Sequence, residues 1–163
     1  VVVCANLPYY ITSPIIMALL EQRLPIKAVT VMVQKEAGDR LCAPMPSREC
    51  GAVTAAVRYY SEPKVLFPVS RGSFCPAPNV DSMVIRLDVK DALPLEPEEE
   101  KKLFRVVKAA FGQRRKTLPN TLSAGLGISK AEAAEKLAAA GLKPTARAEE
   151  LSMEQFCRLA KEF

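Results

Sequence analysis

The chain has 163 residues, nearly half of them hydrophobic and a quarter charged, with no low-complexity segment, which fits a soluble globular chain and excludes a disordered one. Its longest purely apolar run, Ile15 to Leu20, is far too short to span a bilayer, and no cationic segment precedes an apolar one, so neither a membrane span nor a signal peptide is expected. Net charge is +5, but residues 1–100 carry 10 basic against 12 acidic side chains while residues 101–163 carry 13 against 6, so the excess lies in the last third and points to a polyanionic partner.

The chain opens on Val-Val-Val-Cys with no initiator Met, as expected of the interior of a larger protein. Val1 to Ala5 is a continuous apolar run expected to form a strand buried on both faces. Asn6-Leu7-Pro8-Tyr9-Tyr10 ends it, because a proline cannot donate to a central ladder. Thr12-Ser13-Pro14 predicts a helix N-cap with Pro at the first helical position, and Ile15, Ile16, Leu19 and Leu20 give that helix its apolar face. Ala28 to Val33 is a second buried strand, followed by a helix from Lys35 to about Ala43. Strand, helix, strand, helix in that order implies parallel strands joined by crossovers.

Pro44-Met45-Pro46 marks a loop, and Ala52 to Tyr60 fits either a helix or a strand. Lys64 to Val69 and Ser82 to Val89 are strands, expected to pair as an antiparallel hairpin across the loop Arg71 to Asp81. A boundary is expected between Ala92 and Pro97, where charge and periodicity both change, giving domains of 1–94 and 95–163. Beyond it the pattern is helical. Pro97 with Glu98 to Glu100 suits a helix N-terminus, Leu103, Val106, Val107, Ala110 and Phe111 form one apolar stripe, and Gly112 ends or kinks it. Capping boxes at Ser129/Glu132 and Ser152/Gln155, with Gly141 as a C-terminal stop, complete a small helical bundle.

Histidine is absent, which removes Ser-His and Cys-His nucleophiles. The cysteines Cys4, Cys42, Cys50, Cys75 and Cys157 follow no metal-ligand spacing, so no metal is expected; free thiols suit a reducing compartment, the cytoplasm. Chemistry is concentrated in three segments. In Asn6-Leu7-Pro8-Tyr9, at the carboxyl end of a strand, an amide oxygen and a backbone carbonyl can accept two N–H bonds from an exocyclic amine, and an aromatic ring beside them can stack on a base. By itself the segment is equally compatible with a strand followed by a proline turn. Phe74-Cys75-Pro76-Ala77-Pro78-Asn79-Val80-Asp81-Ser82 is by itself a rigid proline loop. Phe111-Gly112-Gln113-Arg114-Arg115-Lys116-Thr117-Leu118-Pro119-Asn120 is by itself a solvated cationic run after a helix.

Together, in this order and spacing, the segments resemble the ribosomal RNA adenine dimethyltransferases, in particular the bacterial small-subunit type. N-L-P-Y resembles the N-[LI]-P-[YF] motif of adenine-N6 methyltransferases, the second segment the F-x-P-x-P-x-V-D-S loop, and the third F-x-Q-R-R-K-T-L-x-N. The resemblance covers essentially all 163 residues, although Pro119 stands where a more polar residue is expected, and Gln34-Lys35-Glu36 with Arg40 add to it.

The resemblance implies the C-terminal portion of a Rossmann-like methyltransferase sheet, with parallel strands plus the antiparallel hairpin, followed by a small all-α RNA-binding domain. It implies methyl transfer from S-adenosylmethionine to two adjacent adenines in a hairpin loop near the 3′ end of small-subunit rRNA, with the immature small ribosomal subunit as partner. Asn6 and the Leu7 or Pro8 carbonyl would hold the amine, Tyr9 and Phe74 would clamp the flipped base, and Arg114, Arg115, Lys116 and Asn120 would bind RNA. Asn6 would also touch the cofactor. The rest of that pocket is expected upstream of Val1, because no G-x-G-x-G turn occurs here, and the chain alone is expected to be inactive. Alternatives are a non-catalytic RNA-binding or ribosome-assembly factor, a large-subunit rRNA adenine methyltransferase of the macrolide-resistance type, which the Q-R-R-K-T-L segment disfavours, and a DNA adenine methyltransferase.

Overall fold

A computed structural model describes all 163 residues. Four strands and seven α-helices follow in chain order: β1 (Val2–Asn6), α1 (Thr12–Glu21), β2 (Ala28–Gln34), α2 (Lys35–Leu41), α3 (Ala52–Tyr60), β3 (Ser61–Val69), β4 (Ser82–Val89), α4 (Pro97–Ala110), α5 (Leu118–Leu126), α6 (Lys130–Ala139) and α7 (Met153–Ala160). The strands form one sheet in the order β1-β2-β4-β3. β1 and β2 are parallel, joined through α1, while β4 runs antiparallel to both its neighbours. The expected α/β sheet with a hairpin, followed by helices, is therefore present.

Contacts divide the chain into two compact units, one of residues 1–43 and 56–92, the other of residues 44–55 and 93–163. In the first, registered pairs Val29–Leu87, Val31–Ile85 and Val33–Met83 bring six nearly or fully buried side chains onto one face of β2 and β4. Paired residues share a face because the side-chain period of a strand is two. α2 packs on this region at Gly38, where an added Cβ would stand 2.1 Å from Met83 Sδ and 3.2 Å from Val33 Cγ2, leaving no room for a side chain.

In the second unit the predicted stripe of α4 is buried through Leu103, Val106, Val107 and Ala110, together with Leu118 and Leu122 of α5, Leu137 of α6, and Phe156 and Leu159 of α7. Phe111 and Phe156 stack with ring centroids 5.7 Å apart. The Ser152/Gln155 box is reciprocal, with Gln155 N donating to Ser152 Oγ at 3.2 Å and Ser152 N to Gln155 Oε1 at 2.9 Å. Ser129 supplies the first half of its own box, Oγ accepting from Glu132 N at 3.1 Å.

Several local expectations are corrected. Within these 163 residues β1 pairs with β2, and Val2 is 68% exposed. α1 does not start from a Ser/Thr cap. A 3-10 turn over Tyr9–Ile11 leads into it, and Thr12 Oγ1 donates to the Pro8 carbonyl at 3.2 Å. Pro14 still falls in the first turn, where no N–H is needed. α2 ends at Leu41, two residues short of the expected Ala43. The ambiguous stretch is α3, and β3 follows it directly from Ser61, earlier than expected. Pro63 lies inside β3 because β3 is an edge strand, where a missing donor costs no ladder bond.

Candidate functional site

Asn6 is the last residue of β1, paired in register with Met32 of β2. The carboxyl ends of β1, β2 and β3 and the amino end of β4 lie at the same edge of the sheet, since Gln34 and Val69 both register with Ser82. Sheet topology thus brings three predicted segments to one edge: Asn6 to Tyr9, Gln34 to Glu36, and the loop from Arg71 to Asp81.

Asn6 and Pro8 are exposed, Tyr9 and Phe74 are half-buried, and the Leu7 side chain turns into the core. Tyr10, beside Tyr9, is 86% exposed. The difference between the two tyrosines has a local cause: Tyr9 Oη shares a hydrogen bond with Ser82 Oγ, 2.5 Å away, and Ser82 is buried. That bond ties the end of the first segment to the end of the second across 73 residues. Ser82 was part of the sequence pattern but carried no assigned role there; only the register of β4 reveals it.

The two carbonyls left open by the sequence differ. The Pro8 carbonyl accepts from Ile11 N at 3.2 Å and from Thr12 Oγ1 at 3.2 Å, so both of its lone pairs are engaged by the following turn. Leu7 precedes that turn.

The loop carrying Phe74 is closed at its base. Asp81 Oδ1 accepts from Arg71 N at 2.9 Å, Arg71 Nη1 donates to the Asn79 carbonyl at 3.2 Å, and Lys35 N donates to the Asp81 carbonyl at 3.0 Å. Arg71, outside the sequence pattern, and Asp81, within it but without an assigned role, therefore hold the loop. Beside them is a shallow depression of about 460 Å³ lined by Gln34, Lys35, Glu36, Asp39, Arg71, Val80 and Asp81, with charges of both signs. Glu36 and Arg40 form the i, i+4 ion pair at 3.8 Å, and Lys35 pairs with Asp39 at 3.0 Å, both exposed.

On the second unit, the three consecutive cations are not equivalent. All three are exposed, but Arg114 Nη2 donates to the Cys50 carbonyl at 3.1 Å, engaging it with the segment 44–55, whereas Arg115 and Lys116 point their charge at solvent with no protein partner. Asn120 Nδ2 donates to Thr117 Oγ1 at 2.9 Å across the first turn of α5, and Pro119 sits within that turn. Cys50, buried beneath Arg114, has its thiol pushed up by that burial; Cys42 is pushed up to about 11, chiefly by burial, with Arg58 opposing.

A resident methyl donor would find a partial cradle here. Asn6 offers an exposed amide at a strand end, but none of the seven glycines belongs to a G-x-G-x-G turn, so these residues fit the edge of such a site and not its floor. No group of three or more His, Cys, Asp or Glu comes together as a metal set, and no helix is long and apolar enough to cross a membrane.

Comparison with known proteins agrees along the whole chain. A family model described as ribosomal RNA adenine dimethylase matches residues 1–163. A protein of Geobacillus thermodenitrificans named ribosomal RNA small subunit methyltransferase A is 49% identical over 161 residues, covering 97% of this chain and 55% of the relative. Its namesake in Alkaliphilus oremlandii is 47% identical over 159 residues, with the same two coverages. The chain thus spans about half the length of the curated relatives it matches. Among solved structures, a dimethyladenosine transferase from Plasmodium falciparum superposes with a TM-score of 0.78 at 24% identity, covering 97% of this chain and 64% of that one. The 23S rRNA methyltransferase ErmE gives 0.71 at 23%, covering 99% and 64%. At these identities the likeness is one of fold.

Proposed function

The chain belongs to the ribosomal RNA adenine dimethylase family, and from that premise we propose that it is the target-base half of an enzyme methylating adenine N6 in small-subunit rRNA. The observation that carries this is the Tyr9–Ser82 hydrogen bond, which gives the turn after β1 a fixed aromatic ring next to an exposed amide. Residues 1–94 would hold the base and residues 95–163 the RNA backbone.

The chemistry asks for an adenine taken out of its stack and an amine lone pair aimed at a methyl group. Asn6 Oδ1 and the Leu7 carbonyl accept the two N–H bonds; the Pro8 carbonyl is disfavoured because Ile11 and Thr12 already occupy it. Accepting both N–H bonds in this way pulls the amine nitrogen towards tetrahedral geometry and exposes its lone pair, so positioning supplies much of the acceleration without a histidine base. Tyr9 stacks on the base from a ring held by Ser82, and Phe74 closes the other face from its braced loop. S-adenosylmethionine would supply the methyl group as a sulfonium with a good leaving group, met at the Asn6 end of β1. Arg115, Lys116 and Asn120 would contact RNA, with Arg114 assisting. Immature small subunits in the cytoplasm are the proposed partner, and the 163 residues alone would bind RNA without transferring methyl groups.

The test is transfer of labelled methyl groups to immature small subunits by the full-length protein carrying this sequence, compared with its Asn6→Ala form. Dimethyladenosine from the parent and none from the variant supports the proposal. Binding of subunits without any transfer by the parent would sink it in favour of a non-catalytic assembly factor, for which the cationic helical unit would suffice.

A further inference from the structure

We propose that a groove between α4 and α5, at Arg105 and Lys108, is a second binding site for RNA backbone phosphates; it rests on the RNA substrate proposed above and is separate in sequence from the Arg114–Lys116 turn. The groove is a surface depression of about 450 Å³ within the helical unit, and its charged lining is Arg105 and Lys108 alone. These side chains are exposed, and neither forms an ion pair or hydrogen bond within the protein. At i and i+3 they stand one helical turn apart on the same face of α4, close enough to grip neighbouring phosphates. Gln113 adds an amide at the end of the groove.

The floor explains why the two helices leave such a cleft. Ala109, Gly112, Ala124 and Gly125 line it, and at Gly125 the two helices meet so closely that a Cβ would stand 2.5 Å from Ala109 Cβ. Small residues on both walls leave a trench bordered by two long cationic arms, suited to a chain of phosphates. Its lining holds no carboxylate to repel an anion. A neighbouring depression on the same unit, at Lys102, Arg105, Glu132 and Lys136, mixes both signs and lacks that selectivity. Gln113 also precedes Arg114 in the chain, so the trench leads along α4 into the turn already assigned to RNA. A groove of uniform positive charge favours a polyanion through counterion release, whatever its base sequence.

The experiment is binding of a small-subunit rRNA fragment to the full chain from 50 to 200 mM salt. It compares the wild type with R105A/K108A, R115A/K116A, the charge-preserving R105K/K108R, and a K143A/K161A control. Each lost phosphate contact should reduce the log–log salt slope by about 0.7–0.9, so R105A/K108A should show a slope shallower by roughly 1.4–1.8. Across this fourfold salt range that makes its affinity loss about tenfold smaller than the wild type's. R105K/K108R should keep the wild-type slope, and the R115A/K116A deficit should add to that of R105A/K108A. An R105A/K108A slope equal to wild type, with R115A/K116A still deficient, overturns the second site while leaving the RNA substrate intact. Salt-independent or undetectable binding by the wild type overturns the RNA substrate itself, and the second site with it. An equal deficit in K143A/K161A would reduce the effect to net charge and also overturn the site.

Discussion

Replacing Gly125 by Ala sets two well-measured effects against each other. In an exposed helix the change is favourable by about 1 kcal/mol, because alanine loses less backbone freedom than glycine on folding. Here the new Cβ would lie 2.5 Å from Ala109 Cβ and 2.9 Å from Ala109 Cα. Carbon atoms rest at about 3.5–4.0 Å, so relief requires α4 and α5 to part by roughly 1 Å. The obstacle includes backbone, and no rotamer change can remove it. Overpacking of this kind costs about 1–3 kcal/mol, and with a backbone obstacle the upper half of that range applies. The expected balance is a loss of about 1–2 kcal/mol, or a Tm lower by roughly 2–8 °C for a chain of this size. Circular dichroism melts of the wild type, Gly125→Ala, Ala109→Gly and the double variant would measure it. The double variant should be less destabilised than the sum of the singles, because Ala109→Gly opens space that the new Cβ at 125 fills. A Tm for Gly125→Ala at or above wild type would refute the close crossing.

Tyr9→Phe and Ser82→Ala should each cost about 1 kcal/mol in denaturant unfolding, and the double variant no more than the worse single; simple additivity would mean that the Tyr9–Ser82 bond does not form. Arg114→Ala should lower stability by about 1 kcal/mol through loss of the bond to the Cys50 carbonyl, whereas Arg115→Ala should stay within about 0.5 kcal/mol of wild type. Equal effects at both positions would make the cations equivalent after all. At pH 8, Cys4 and Cys75 should react quickly with a thiol reagent in the native protein, and Cys42 and Cys50 slowly. Because the folded Cys42 thiol is pushed up to about 11 while an unfolded one ionises near 8.5, stability should fall as pH rises between those values. Native labelling of Cys42 at the rate of Cys75 would contradict its burial.

The sequence made the order of elements legible where one face is apolar and the other polar. The stripe of α4, the alternation of β4 and the reciprocal Ser152/Gln155 cap all left periodic or local signatures that need no knowledge of neighbours. α3 was less plain, because Thr54 to Val57, Tyr59 and Tyr60 are all buried and its valines, threonine and tyrosines suit a strand as well as a helix. At the candidate site the residue types were visible in three segments, but their support was not. Ser82 beneath Tyr9, Arg71 clasping Asp81 and Thr12 occupying the Pro8 carbonyl depend on register and on turns joining residues distant in sequence or without a marked pattern. The inequality of Arg114 and its two neighbours was invisible for the same reason: its partner is a backbone carbonyl 64 positions away.

α3 has a consequence for anyone who would cut or transplant this protein. Its residues 52–55 are counted with the helical unit and its residues 56–60 with the sheet, so one uninterrupted helix is common property. The polypeptide passes from one unit to the other at 43/44, 55/56 and 92/93. Severing it at the last of these would produce a helical piece without residues 44–55, taking away the carbonyl that Arg114 grasps and the buried Cys50. The sheet piece would carry those twelve residues as an orphan excursion. A helical module taken for grafting onto another scaffold would therefore have to be assembled from two separated stretches of chain, and a homologue that exchanged residues 93–163 alone would inherit a mismatched seam at Cys50.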